Sequence, residues 1–96
     1  MSKSIMQDSK RCYFCGRQVG LEEHHIFGGV ANRKLSERYG LKIWCCDYHH
    51  RDPKNGVQYN REVNQKMKQL AQIAFEARHS HEEWMQVFRK NYLWKD

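Results

Sequence analysis

Three clusters of cysteine and histidine constrain this chain more than anything else in it: Cys12-x-x-Cys15, His24-His25 and Cys45-Cys46-Asp47-Tyr48-His49-His50. Together they hold more ligands than one metal ion takes. A tetrahedral zinc is closed by four Cys or His side chains, and Cys12, Cys15, Cys46 and His49 complete such a set. Two ligands three positions apart on a turn or at a helix start point the same way, so each pair supplies half a tetrahedron. Cys45, four positions before His49, could substitute, but it continues the strand alternation of Ile43 and so turns towards the core. His24, His25 and His50 are left over. A closed metal site beside spare imidazoles points to a small metal-dependent enzyme rather than to a simple zinc finger.

The zinc also answers a problem of size. The 96 residues make one small domain with an apolar fraction of 40%, and domains this small often need a staple. No N-terminal stretch combines a basic start, an apolar run and a small-residue cleavage site. No apolar run approaches the ~18 residues of a membrane span. The expected compartment is therefore reducing, where cysteines are metal ligands before they are disulfides. A redox role for Cys12-x-x-Cys15 would need a βαβ context, which the pattern lacks. Lys and Arg number 17 against 11 acidic residues, a net charge of +6 with neutral histidines. That excess favours a polyanionic partner, nucleic acid being the commonest, over a merely basic surface.

Along the chain, a metal-built half precedes a helical half. Residues 1–11 are polar and expected to form a flexible N-terminal tail. Residues 12–96 form one domain, with a metal core over 12–60 and a helical pair over 61–94. Cys12-Tyr13-Phe14-Cys15-Gly16 reads as a zinc knuckle. Val19 to Phe27 reads as a strand broken by Gly20, and Leu41 to Trp44 as a second, alternating strand. Between them Val30 to Gly40 is polar and basic, with one helical turn expected at Lys34 to Tyr39. A helical turn starts near Cys46 and stops at Asp52-Pro53, and Asn55-Gly56 marks a turn.

From Asn60 the period becomes helical, with Val63, Met67, Leu70, Ala71, Ala74 and Phe75 on one face. Ser80-His81-Glu82-Glu83 carries the S-x-x-E box that opens a last helix, whose apolar face is Trp84, Val87, Phe88 and Tyr92. Trp84, Tyr92 and Trp94 are read as packing residues rather than as platforms for stacking bases. The expected fold class is α+β: a small treble-clef core of zinc knuckle, β-hairpin and helix, followed by two C-terminal helices.

Adjacent residues at a strand end face opposite ways, so His24 and His25 can serve two roles. His49 and His50 diverge likewise on a helical turn. One member of each pair can therefore reach a second centre, where strand end meets helix start. Two histidines holding a metal with open positions, plus a third free to take a proton, equip a site for metal-assisted hydrolysis. A histidine near its unperturbed pKa of ~6.5 is a competent general base at neutral pH. A lone histidine is more often solvated or satisfied, and His79 and His81 at the interhelical turn are read that way.

Glu23-His24-His25-Ile26, followed by Cys46-Asp47-Tyr48-His49-His50, resembles the HNH endonucleases of the ββα-metal type, and among them the small phage- and prophage-encoded proteins. The resemblance runs from Cys12 to about Asn60 and continues more loosely through LAQIAFE and HSHEEWMQVFRKNYL. It implies a DNA endonuclease or nickase that hydrolyses phosphodiesters to 5′-phosphate and 3′-hydroxyl ends in the cytoplasm of a bacterial host. It matches His24 to the first catalytic-metal ligand, His50 to the ligand on the helix, and His25 to the general base. Cys12, Cys15, Cys46 and His49 match the structural Zn2+ set. Few protein ligands and a phosphate substrate suit Mg2+ or Mn2+ as the catalytic ion.

Where related proteins carry Gly-Val-His, this chain reads Gly56-Val57-Gln58, which makes Gln58 or Asn60 the candidate third ligand. The family's middle Asn has no counterpart in Tyr39-Gly40-Leu41-Lys42-Ile43, so a backbone carbonyl or Asn32 is expected to orient the base. Arg33, Lys34 and Arg38 on one side and Arg51, Lys54 and Arg61 on the other are candidate phosphate contacts, giving salt-dependent and largely sequence-independent affinity for DNA. No sequence reader is recognisable, so specificity falls to DNA structure or to a protein partner. The competing function is a treble-clef zinc module that binds nucleic acid with a weak or inactive site. His25 divides the two, because a binding module has no need of a histidine beside the ligand His24.

Overall fold

One short alternating segment, a polar partner strand and two amphipathic helices build this chain into a hairpin packed on helices. The computed structural model describes residues 3–52, 54, 56–57 and 59–93. Its elements are β1 (Leu21–His25), α1 (Val30–Tyr39), β2 (Lys42–Cys46), α2 (Asp47–Arg51), α3 (Arg61–Glu76) and α4 (His81–Phe88). The result is a small α+β protein. The expected stop at Pro53, the turn residue Asn55, the candidate ligand Gln58 and Trp94 lie outside the described residues.

The strands form a two-stranded antiparallel sheet in which Glu22 pairs with Cys45, Glu23 with Trp44, His24 with Ile43 and His25 with Lys42. β1 is shorter than Val19 to Phe27. Beyond His25 the chain leaves the sheet, burying Ile26 and Phe27, while Ile26 N–H still donates to Leu41 O at 3.0 Å. β2 is shifted forward, to end on Cys46 rather than Trp44.

The largest departure is α1, a helix of 10 residues where one turn was expected. Its surface is polar and Val30 is 83% exposed, so no apolar stripe announces it. It is held by a polar pin instead: buried Ser36 accepts from Phe27 N–H at 3.0 Å and donates to Phe27 O at 3.2 Å. Gly40 closes the helix at φ 70, and a Cβ there would collide with the Lys3 carbonyl. Only glycine meets both demands.

That collision marks another difference. Residues 3–11 form no helix or strand, as a tail would not, yet they are bonded along β2. Ile5 N–H donates to Gly40 O at 2.9 Å, Ser4 Oγ donates to Lys42 O, and Trp44 N–H donates to Gln7 Oε1 at 2.9 Å. The segment covers the edge that β2 would otherwise expose.

The C-terminal helices follow their caps. Asn60 Oδ1 accepts from Val63 N–H at 3.1 Å at the start of α3, and Ser80 Oγ accepts from Glu83 N–H at 3.0 Å at the start of α4. The Glu83 carboxylate turns to His79 Nδ1, 3.3 Å away. From α3, Met67, Ala71 and Phe75 are buried against Trp84 of α4, together with Phe27, Leu41, Ile43 and Val57. Trp84 stacks on Phe88 with centroids 4.2 Å apart. Val87 is only half-buried. Among the described residues, no helix is long and apolar enough to cross a membrane.

Candidate functional site

β2 runs directly into α2, so Cys46 ends a strand and His49 takes the following helical turn. The knuckle is fastened to them through backbone: Tyr13 N–H donates to Trp44 O at 2.8 Å, and Gly16, at φ 79, donates to Cys12 O at 2.8 Å. One ligand atom each of Cys12, Cys15, Cys46 and His49 then lies within 4.8 Å of all the others.

The separations test the fit. Zn–S bonds of ~2.3 Å and Zn–N bonds of ~2.0–2.1 Å at tetrahedral angles put two sulfurs about 3.8 Å apart, and sulfur about 3.6 Å from nitrogen. Cys15 Sγ and Cys46 Sγ are 3.8 Å apart. His49 Nδ1 is 3.6 Å from Cys12 Sγ and 3.3 Å from Cys46 Sγ. Burial pushes the Cys12 thiol up, but the backbone around Cys46, Cys15 and Phe14 outweighs it and brings the pKa down to about 6. That favours the thiolate a metal takes. This cluster can hold a metal such as zinc. Cys45, the alternative ligand, is fully buried, and burial pushes its thiol up to about 12. It packs in the core.

At the far end of the hairpin, the pleat separates the histidine pair. Glu22 and His24 share one face, Glu23 and His25 the other. His24 faces α2, its ring 5.1 Å from that of His50. Its Nε2 is buried with no hydrogen-bond partner among the described residues. Burial, with the nearby His50 and His25, pushes its pKa down to about 4, so at neutral pH it is uncharged. An unsatisfied buried nitrogen costs ~1–3 kcal/mol, and a bound cation would remove that cost. His50 Nδ1 is 3.0 Å from Glu22 Oε1. An ionised carboxylate has no proton to give, so Nδ1–H is the donor, and Nε2 is the nitrogen left for a metal to take. Carboxylate–histidine pairs of this form set the tautomer of metal-ligating imidazoles. The hydrogen bond to His50, with Arg51 alongside, holds the Glu22 carboxyl below its usual range.

On the opposite face, His25 Nε2 is 2.9 Å from Glu37 Oε1, a residue of α1. Neither a backbone carbonyl nor Asn32 is the partner of this nitrogen; Asn32 is exposed on the same helix. Donor atoms of Glu23, His25 and Glu37 also lie within 4.8 Å of one another. A cation is already there: buried Lys42 Nζ stands 2.8 Å from Glu37 Oε2 and 3.3 Å from Glu23 Oε2. Burial alone would lower the Lys42 pKa, but the two carboxylates outweigh it and raise it.

His24, His25 and His50 border one cleft of about 580 Å³. Of the basic candidates, Arg33 and Arg51 line it, whereas Lys34 and Arg38 line a neighbouring depression that also reaches His25. Arg61 belongs to a separate surface with Glu62 and Gln65, and Lys54 is exposed before α3; neither borders the cleft. Asn60 is spent elsewhere too: its Oδ1 caps α3 and its Nδ2 donates to Lys54 O at 3.1 Å. Three cleft residues escaped sequence reasoning: Tyr59, Asn64 and Lys68. Asn64 donates Nδ2 to Val57 O at 3.3 Å, so the atom it has to offer the cleft is Oδ1. Lys68 and Asn64 are four apart on α3, the spacing that puts two residues on one helix face.

No family model matches this chain, and no curated protein or solved structure matches it.

Proposed function

We propose that this chain is a metal-dependent DNA endonuclease or nickase of the HNH, ββα-metal type, built on a treble-clef zinc site. The observation that carries the reading is the buried Nε2 of His24, without a hydrogen-bond partner among the described residues, on a ring beside that of His50 at a cleft that His25 also borders. His24 is neutral and His50 is held by Glu22 through Nδ1, which leaves its Nε2 for a metal, so the two can hold a divalent ion between them. Mg2+ or Mn2+ bound there would supply charge stabilisation to the phosphate and to the leaving 3′-oxygen. His25 takes the proton from the attacking water. Arg33, Arg51 and Lys68 offer positive charge to the phosphates flanking the cleaved bond, and Lys34 and Arg38 extend that surface beside His25. The four-ligand Zn2+ cluster keeps the fold and takes no part in chemistry.

Supercoiled plasmid, Mg2+ or Mn2+ and the purified protein test this. Nicking is expected with wild type and a loss of about 10²–10⁴-fold with His25→Ala, while zinc content stays at about one per chain in both. No nicking with any divalent ion, or undiminished nicking by the variant, would sink the mechanism. Retained DNA binding in the first case would leave the non-catalytic zinc module as the function.

A further inference from the structure

The nuclease reading gives His25 a role but leaves open what aims its ring. In the structure the ring meets two carboxylates of unequal reach: Glu37 Oε1 at 2.9 Å and Glu23 Oε1 at 3.9 Å. Only the first is a hydrogen bond. Glu37 is itself braced, because its second oxygen is 2.8 Å from Lys42 Nζ, and Lys42 is 3% exposed. A carboxylate accepts but cannot donate, so the proton in this bond sits on His25 Nε2. The ring also borders the cleft that holds His24 and His50. Nδ1 is the ring nitrogen that the bond to Glu37 leaves to serve it.

We propose that Glu37 is the positioning residue of His25: braced by Lys42, it accepts the Nε2–H and so fixes the ring and the tautomer that offers Nδ1 to the cleft. The proposal rests on the nuclease reading for its purpose, though not for its geometry. It assigns the task expected of a backbone carbonyl or Asn32 to a carboxylate from a different helical turn. Glu37 would not touch the substrate. The Lys42 ammonium has a consequence of its own. It fills the space between Glu23 and Glu37, so the Glu23, His25 and Glu37 cluster orients a base rather than binding an ion.

Long-range proton–nitrogen spectra of zinc-loaded protein with ¹⁵N-labelled histidine read the tautomer directly, without any turnover. Wild type should show His25 as a single Nε2–H tautomer. Glu37→Ala should show a mixture of tautomers, with plasmid nicking down on the order of 10- to 100-fold in kcat and little change in KM. Glu37→Gln keeps a carbonyl that can accept the same bond, and should restore the tautomer and most of the rate. Glu23→Gln should leave the tautomer as in wild type. An Nδ1–H tautomer in wild type overturns the proposal. So does an alanine variant that keeps the wild-type tautomer, or a glutamine variant that holds the tautomer yet nicks no faster than alanine. A wild-type Nε2–H tautomer with no nicking under any metal defeats the nuclease reading alone. Nicking with the opposite tautomer defeats the role of Glu37 alone.

Discussion

The two ends of one hairpin hold two clusters built on opposite principles. At the Cys46 end, four Cys and His ligand atoms crowd within 4.8 Å of one another, a set that can hold a metal such as zinc. At the His25 end, two imidazole rings meet edge-on with centroids 5.1 Å apart, and the buried Nε2 of His24 has no hydrogen-bond partner among the described residues. The first arrangement offers four ligands that can close around an ion. The second is open and leaves a cost standing in the folded protein. A full ligand shell leaves no place for substrate, and an incomplete one does. The same residue types divide by geometry: His49 and His50 are neighbours on α2, yet one joins the Cys/His cluster and the other turns to His24 and Glu22.

Removing the zinc should break the closed end completely. Structural zinc contributes on the order of 10 kcal/mol in small domains, so chelation or Cys46→Ala should abolish the cooperative thermal transition. Circular dichroism through a chelator titration, with zinc added back, would show it. A chain that stays folded without metal would make the cluster ornamental.

The open end should respond in function before it responds in fold. Glu22→Ala removes the carboxylate that holds His50 and should raise the Mn2+ concentration for half-maximal nicking about 10- to 100-fold. Zinc content should not change. His24→Leu goes further, for it trades an unsatisfied nitrogen for an apolar side chain. It should abolish nicking and yet stabilise the protein by about 1–3 kcal/mol in buffer free of Mg2+ and Mn2+, read as a higher urea midpoint. A loss of stability would mean that His24 has a partner it keeps without any ion.

The smallest effect separates cap from cleft. Asn60→Ala should cost about 1 kcal/mol of stability and leave the nicking rate of the folded protein unchanged. A loss of nicking at full stability would restore Asn60 to the metal.

How much of this was legible varies from residue to residue. The Cys12, Cys15, Cys46 and His49 cluster was, because the spacing of each pair fixes where two side chains point regardless of the rest of the fold. α3 was, because its apolar residues repeat at helical spacing. α1 was not: the residue it buries is Ser36, and a polar pin leaves no hydrophobic period to read. Lys68 and Asn64 were hidden among the polar residues of an amphipathic helix, where sequence does not say which of them borders a cleft.

The sequence by itself therefore determined the four-residue Cys/His cluster, the divergence of His24 from His25 and the two helices at the end of the chain. Each follows from rules that act over a few residues: ligand spacing, the strand pleat, helical period and cap chemistry. Tertiary structure alone decided that Glu22 meets His50, that Glu37 and Lys42 gather around His25, and that residues 3–11 line the edge of β2. Those contacts join segments whose separation along the chain carries no pattern, and only the packing of α1 and α2 around the hairpin brings them within reach.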